Sequence, residues 1–156
     1  MRRASLAEVN TALCAALGDR AVGLFGDAIG LRAAPVPELG LVGDALPSRP
    51  AAVEQALANG RIPVVAPLAE GPLNVNADDA ASALAVGLEA ERILFVSDVP
   101  GLLLEGEVVA QIDVVDAEEL LDEGLLEGGI VPKLRAAVTA ARLGVRAEIG
   151  ETEVVA

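Results

Sequence analysis

Hydrophobic positions along the chain switch between two periods. From Leu6 to Leu17, Val9, Leu13, Ala16 and Leu17 recur near helical spacing and Gly18 stops the run, which predicts a helix. Ala21-Val22-Gly23-Leu24-Phe25 then reads as a short buried strand. Between Gly26 and Asp44 the chain is rich in Gly and Pro, with two short apolar pieces, Gly30-Leu31-Arg32 and Leu39-Gly40-Leu41-Val42. These predict hairpin strands at a sheet edge rather than a core helix. Ser48 is placed to cap a second helix running to about Ala58, and Ile62-Pro63-Val64-Val65 follows as a strand despite its proline.

The second half is more regular. Small residues fill a predicted helix over 78–88, and Arg92-Ile93-Leu94-Phe95-Val96-Ser97 is the clearest buried strand. Residues 102–104 and 108–112 are predicted to pair across Glu105-Gly106, after which Asp116 is placed to cap an acidic, solvated helix over 117–123. Gly128-Gly129 precedes a helix through Leu143, and residues 145–149 form a last core strand, followed by Val154-Val155. Strands alternating with helices predict an α/β layered architecture with a mainly parallel sheet. No internal repeat or low-complexity linker interrupts it, and a lobe boundary is placed near Ala90.

Composition narrows the chemistry. The 156 residues are 53% hydrophobic, enough for a core built of Ala, Val, Leu and Ile, so a net charge of −13 does not signal disorder. There is no histidine, which excludes a histidine metal site, general base or triad. Cys14 is the only cysteine, so neither an internal disulfide nor a CxxC metal site is available; it reads as a small apolar residue of the first helix. An acidic chain with two phenylalanines as its only aromatics lacks the basic patches and stacking platforms of nucleic-acid binders. Charges interrupt every apolar run, and Met1-Arg2-Arg3-Ala4-Ser5 has no apolar stretch behind it, so neither a membrane span nor a secretory leader is predicted. The reading is a soluble, cytoplasmic protein. One further count matters: ten basic residues are arginine and one, Lys133, is lysine. A compact ammonium differs most from a guanidinium where it must follow a moving phosphoryl group.

Three clusters carry candidate chemistry. Leu73-Asn74-Val75-Asn76-Ala77-Asp78 leads from an extended piece into a helix, with Asn74 and Asn76 on one side of it. It reads either as an anion-favouring helix N-terminus or as an ordinary Asn/Asp cap and turn. Ser97-Asp98-Val99-Pro100-Gly101 follows the strongest strand, where ligands of open α/β sheets collect, and reads equally as a strand-ending turn. Gly128-Gly129-Ile130-Val131-Pro132-Lys133 brings backbone N–H groups and a mobile cation to a helix start, or is a glycine turn with a solvated lysine. It is not a Walker loop, since GxxxxGK[ST] occurs nowhere in the chain.

In this order and spacing, these segments resemble the amino acid kinase family. The resemblance begins at Val9-Asn10 and continues through Ala21-Val22-Gly23-Leu24, Leu41-Val42-Gly43 and Gly60-Arg61-Ile62-Pro63-Val64-Val65-Ala66-Pro67. The Asn-Val-Asn-Ala-Asp segment ending at Asp78, the Ser97–Gly101 turn and the stretch from Gly128 to Lys133 complete it. It implies a three-layer αβα sandwich with a mainly parallel sheet, residues 1–89 forming a partial lobe for an amino-acid substrate and 90–156 a nucleotide-binding lobe. The implied activity moves the γ-phosphoryl group of ATP to the side-chain carboxylate of N-acetyl-L-glutamate, a step of arginine biosynthesis. A kinase for carrier-linked aminoadipate or glutamate in lysine synthesis, and a non-catalytic nucleotide-binding remnant, are the alternatives.

By the same resemblance, Asn74 and Asn76 would hold the acylated amino acid, and Asp78 would orient catalytic lysine. Ser97, Asp98, Gly101, Gly128 and Gly129 would bind nucleotide, and Lys133 would stabilise the migrating phosphoryl group. Mg²⁺ would arrive with ATP, held by phosphate oxygens rather than by a dedicated protein ligand set. The implied partner is a small-molecule substrate; a sheet edge exposed by a lost N-terminal segment would favour a homo-oligomer. Family members open with a strand bearing a second lysine, glycine-rich loops and a substrate-gripping arginine. None of these lies ahead of Leu6, and residues 151–156 stand where a further helix is usual, so the sequence reads as a kinase shortened at its N-terminus.

Overall fold

The computed structural model describes residues 3–156; the start Met1-Arg2, read above as lacking a leader, lies outside the described residues. The chain forms two compact units, one up to Ala80 and one from Ala81 to Ala156.

The first unit is built on two parallel strands, β1 (Ala21–Phe25) and β4 (Ile62–Ala66), against which α1 (Arg3–Leu17) packs. Gly23 lies in β1 beneath that helix, where a β-carbon would run into Asn10 and Cys14. Buried Asn10 reaches across and donates from Nδ2 to the Val64 carbonyl at 2.8 Å, so a polar side chain fixes the helix on the sheet. The helix is where its apolar spacing predicts, but Leu6 and Asn10 are its buried residues, while Val9, Leu13 and Leu17 remain exposed. Pro63 is tolerated in β4 because bonding alternates along a strand. Ile62 N–H faces the β1 side, donating to Arg20 O, so the Pro63 nitrogen falls on the other edge.

After β1 come a single helical turn, α2 (Gly26–Ile29), and the antiparallel hairpin β2 (Arg32–Pro35) with β3 (Gly43–Leu46). The hairpin is present as expected, but its second strand starts later. Residues 39–42, expected as strand, follow a 3-10 turn over Pro37–Leu39, and Leu39 and Leu41 stay exposed. Ser48 does not cap α3 (Ala51–Ala58), whose N-cap is Pro50. Its buried hydroxyl instead accepts from Arg32 N–H and donates to the Leu46 carbonyl, closing the hairpin. Two short antiparallel strands, β5 (Leu68–Ala69) and β6 (Leu73–Asn74), lead into α4 (Ala77–Gly87). The division between units falls inside α4; the sequence reading set its lobe boundary just past it.

The second unit begins with β7 (Arg92–Phe95) and a small hairpin, β8 (Leu103–Leu104) with β9 (Glu107–Val108). The expected longer second arm does not form, because β10 (Gln111–Asp113) leaves the hairpin for the main sheet. Helix α5 (Val114–Asp122) starts three residues earlier than expected. Its cap is Asp113, which accepts from the N–H groups of Val115 and Asp116, rather than Asp116. Helix α6 (Ile130–Arg142), β11 (Arg146–Ile149) and β12 (Thr152–Val155) complete the unit.

The sheet order is β10-β12-β11-β7, with both outer pairings parallel and the central β11–β12 pairing antiparallel. Period-two alternation puts Ile93, Phe95, Ala147, Ile149 and Val154 in the core, against α6. That helix buries Leu134, Ala136, Ala137, Val138, Ala140 and Ala141, and its alanines allow the close approach to β11. The intervening strand positions carry Arg92, Arg146 and Glu148, joined by ion pairs. The α/β class with a mainly parallel sheet is thus observed, and no helix of the described residues is long and apolar enough to cross a membrane.

Candidate functional site

Helices α4 and α5 begin with a side-chain cap, whereas α6, like α3, begins without one. At α4 the Asn76 carboxamide oxygen accepts from the N–H groups of Asp78 and Asp79, at 2.8 and 3.3 Å, an ordinary Asn cap. At α5 the Asp113 carboxylate serves the same purpose. Helix α6 has no such partner: its N-cap is Gly129, without a side chain. Its first turn holds no carboxylate and instead carries half-buried Lys133.

The chain approaches this helix through Gly128, whose φ of 72° is a backbone state that favours glycine. Gly129 has an ordinary helical φ of −70°, and a β-carbon there would meet nothing within 4 Å. Neither backbone geometry nor packing requires glycine at 129. A bare backbone that leaves room at an uncapped helix start suits close approach by a phosphate.

Gly129 opens onto a cavity of about 360 Å³ within the second unit. Its polar lining is Ser97, Asp98 and Glu127, and its apolar walls come from Val99, Leu102, Leu103, Leu125, Leu126 and Ile130, with Gly101 between them. Thus Ser97, Asp98, Gly101 and Gly129, chosen from segments about thirty residues apart, line one cavity. Gly128 and Lys133 flank it along the chain without lining it. The Ser97 hydroxyl accepts from Val99 N–H at 3.4 Å and donates to Asp98 at 3.5 Å, so the turn after β7 is partly self-bonded. Gly101 is explained by packing: a β-carbon would fall 2.5 Å from Thr152 Oγ1.

Asn74, Asn76 and Asp78 belong to the first unit. The Asn74 side chain donates to the Leu41 carbonyl at 3.0 Å, beside a backbone bond from its own N–H to the same oxygen. Asp78 is half-buried in the first turn of α4. The sequence reading missed the apolar walls. Leu125 is 67% exposed just before the glycine pair, and an apolar pair outside any helical period was the signal available there. A larger opening of about 570 Å³ lies along α5 and β10, but four carboxylates line it, Asp113, Asp116, Glu119 and Glu123, against Asp98 and Glu127 in the smaller cavity. Among the described residues no group of His, Cys, Asp and Glu is arranged to hold a metal ion.

The cavity joins a helix start without a side-chain cap to leucine walls, a lining of the kind that could hold a phosphate and an apolar ring. The comparisons with known proteins agree on the family. The acetylglutamate kinase of Rubrobacter xylanophilus is 47% identical over 138 residues, covering 86% of this chain and 54% of that protein. The acetylglutamate kinase of Roseiflexus castenholzii is 41% identical over 150 residues, covering 89% of this chain and 58% of that protein. The chain therefore spans little more than half the length of these relatives. Among solved structures, smu.665 from Streptococcus mutans superposes with a TM-score of 0.75 at 27% identity, covering 85% of this chain and 60% of that one. The family model described as amino acid kinase matches residues 1–150, and the chain belongs to the amino acid kinase family.

Proposed function

We propose that the chain serves the ATP-dependent phosphorylation of N-acetyl-L-glutamate on its side-chain carboxylate, as part of arginine biosynthesis in the cytoplasm. The observation that carries this reading is the convergence of Ser97, Asp98, Gly101 and Gly129 on one cavity at the uncapped start of α6. The substrate assignment rests on the acetylglutamate kinase relatives. Residues 90–156 would then be the nucleotide-binding lobe and residues 1–89 the lobe for the amino acid.

Bound ATP, with its Mg²⁺, supplies the phosphoryl group. The chain's own residues bind and neutralise, which is most of what phosphoryl transfer asks of a protein. The N–H groups at Gly129 and Ile130, at a helix start with no side-chain cap, hold phosphate oxygens, and the missing side chain at Gly129 lets them approach. Lys133, one turn further in, offsets the charge that builds on the leaving oxygen as the phosphoryl group moves. Leu125, Leu126 and Val99 exclude water from the base. In the first unit Asn74 and Asn76 hold the acylated amino acid through whatever hydrogen-bonding capacity their backbone contacts leave.

Titrating the purified chain with a fluorescent ATP analogue, beside a hydroxamate assay with N-acetyl-L-glutamate, tests this. Lys133→Ala should weaken nucleotide binding by roughly tenfold, as expected for loss of a charged hydrogen bond. Any hydroxamate signal should fall by about a hundredfold. Equal affinity and equal signal in both proteins would remove Lys133 from its role. Absence of nucleotide binding by the unaltered chain would overturn the proposal, and a signal obtained only with carrier-linked aminoadipate would overturn its substrate.

A further inference from the structure

The cavity wall formed by residues 97–102 is a loop, and something must hold it. The holder is the turn between β11 and β12. Glu151 N–H donates to the Pro100 carbonyl at 2.6 Å, and Gly150 N–H donates to Phe95 O at 3.3 Å. The Leu102 N–H donates to Thr152 Oγ1 at 2.8 Å. Thr152 and Leu102 are both fully buried, so this side-chain bond is made out of reach of water. Two glycines make the approach close enough. A β-carbon on Gly150 would collide with the Pro100 carbonyl, and one on Gly101 would collide with the Thr152 hydroxyl. Thr152 is also the only buried polar residue on the core face of β12, where a valine would fill the same space.

We propose that Thr152 is a positioning residue for the nucleotide cavity. It touches no ligand. By accepting the Leu102 amide it fixes Gly101 and Leu102, both in the cavity wall, at the spacing that a bound nucleotide meets. The role in binding rests on the nucleotide reading above; the clasp itself does not. Without the hydroxyl, the Leu102 N–H is a buried donor with no acceptor, and the loop must open to find water.

The test compares Thr152→Val, which keeps shape and loses the acceptor, with Thr152→Ser, which keeps the acceptor. Val154→Ala, on the same strand, serves as a stability control. Two readouts are taken on the whole chain: hydrogen exchange of the segment containing Leu102, and affinity for the fluorescent ATP analogue. Thr152→Val should speed exchange at Leu102 and weaken nucleotide binding by about threefold to tenfold. Thr152→Ser should restore both, and Val154→Ala should lower the melting temperature with affinity within about twofold of the parent. Unchanged exchange at Leu102 in Thr152→Val would overturn the clasp. Faster exchange with unchanged affinity, or equal weakening by Val154→Ala, would overturn the positioning role. If the parent chain binds no nucleotide, the nucleotide reading falls and takes that role with it, while the exchange comparison still decides the clasp.

Discussion

Gly101 and Gly129 line the same cavity, yet a β-carbon would meet opposite surroundings at each. At 101 it meets Thr152 Oγ1 at 2.5 Å and Val108 at 3.2 Å; at 129 it meets open space. Gly101→Ala should therefore cost stability, by about 1–3 kcal/mol for overpacking in a buried site. Gly129→Ala should change the melting temperature little, since the backbone there is already helical and the methyl meets open space, although an N-cap position slightly favours glycine. Nucleotide affinity should nevertheless fall in Gly129→Ala, because the methyl occupies the space a phosphate would use. Thermal melts and nucleotide titrations on the two variants separate these effects. A large loss of stability in Gly129→Ala would mean that the glycine serves the fold after all. Sequence could mark both glycines but not sort them: the atoms that crowd Gly101 come from a strand some fifty residues later. Thr152 escaped notice for the same reason, since nothing in its neighbours announces the Leu102 amide.

The elements themselves were legible where periodicity was strong, as in β1, β7, α6 and β11. They were misread where a side chain chose between two adjacent backbone jobs. Ser48 and Asp116 both have cap chemistry, but Ser48 closes the hairpin and Asp113 takes the cap of α5. Which of two nearby oxygens wins depends on where the preceding strand ends, and strand ends are set by pairing across the sheet. The packing of α5 on α6 shows a similar long-range choice: Arg142 donates from Nε to Glu118 at 2.9 Å. That hydrogen bond holds the Glu118 carboxyl below its ordinary range, and the guanidinium charge acts in the same direction. A lowered native pKa means the pair stabilises the fold above the unfolded carboxylate's pKa, and the contribution is lost as pH falls through the native value. Both groups are exposed, so the effect is small and weakens with salt. In melts from neutral to acidic pH at low salt, the parent should lose more stability than Glu118→Gln. Parallel curves would show that the pair does not couple the two helices.

At the scale of the molecule, a charge of −13 and a polyanionic ligand appear incompatible, and most of the acidic excess falls in the second unit, which holds the cavity. Range resolves the conflict. In the proposed site the attractive groups would be Lys133 and the N–H groups opening α6, which would act over a few ångströms, where little salt or water intervenes. The repulsive field is the sum of scattered carboxylates, screened beyond about 10 Å at 0.1 M ionic strength. Association, governed by the long-range field, should therefore behave opposite to that of a basic cleft. The association rate constant for the ATP analogue should rise by roughly twofold to fivefold between about 0.02 and 0.2 M ionic strength, because salt screens repulsion during approach. Dissociation should change less. In Lys133→Gln the dissociation rate should increase at every salt concentration, while the slope of association steepens, since one more cation is missing from the approach. Stopped-flow measurement of both rates on the two proteins is sufficient. An association rate that falls with salt would mean that the nucleotide meets a net positive surface, which the acidic sequence does not offer around this cavity, and would move the site elsewhere.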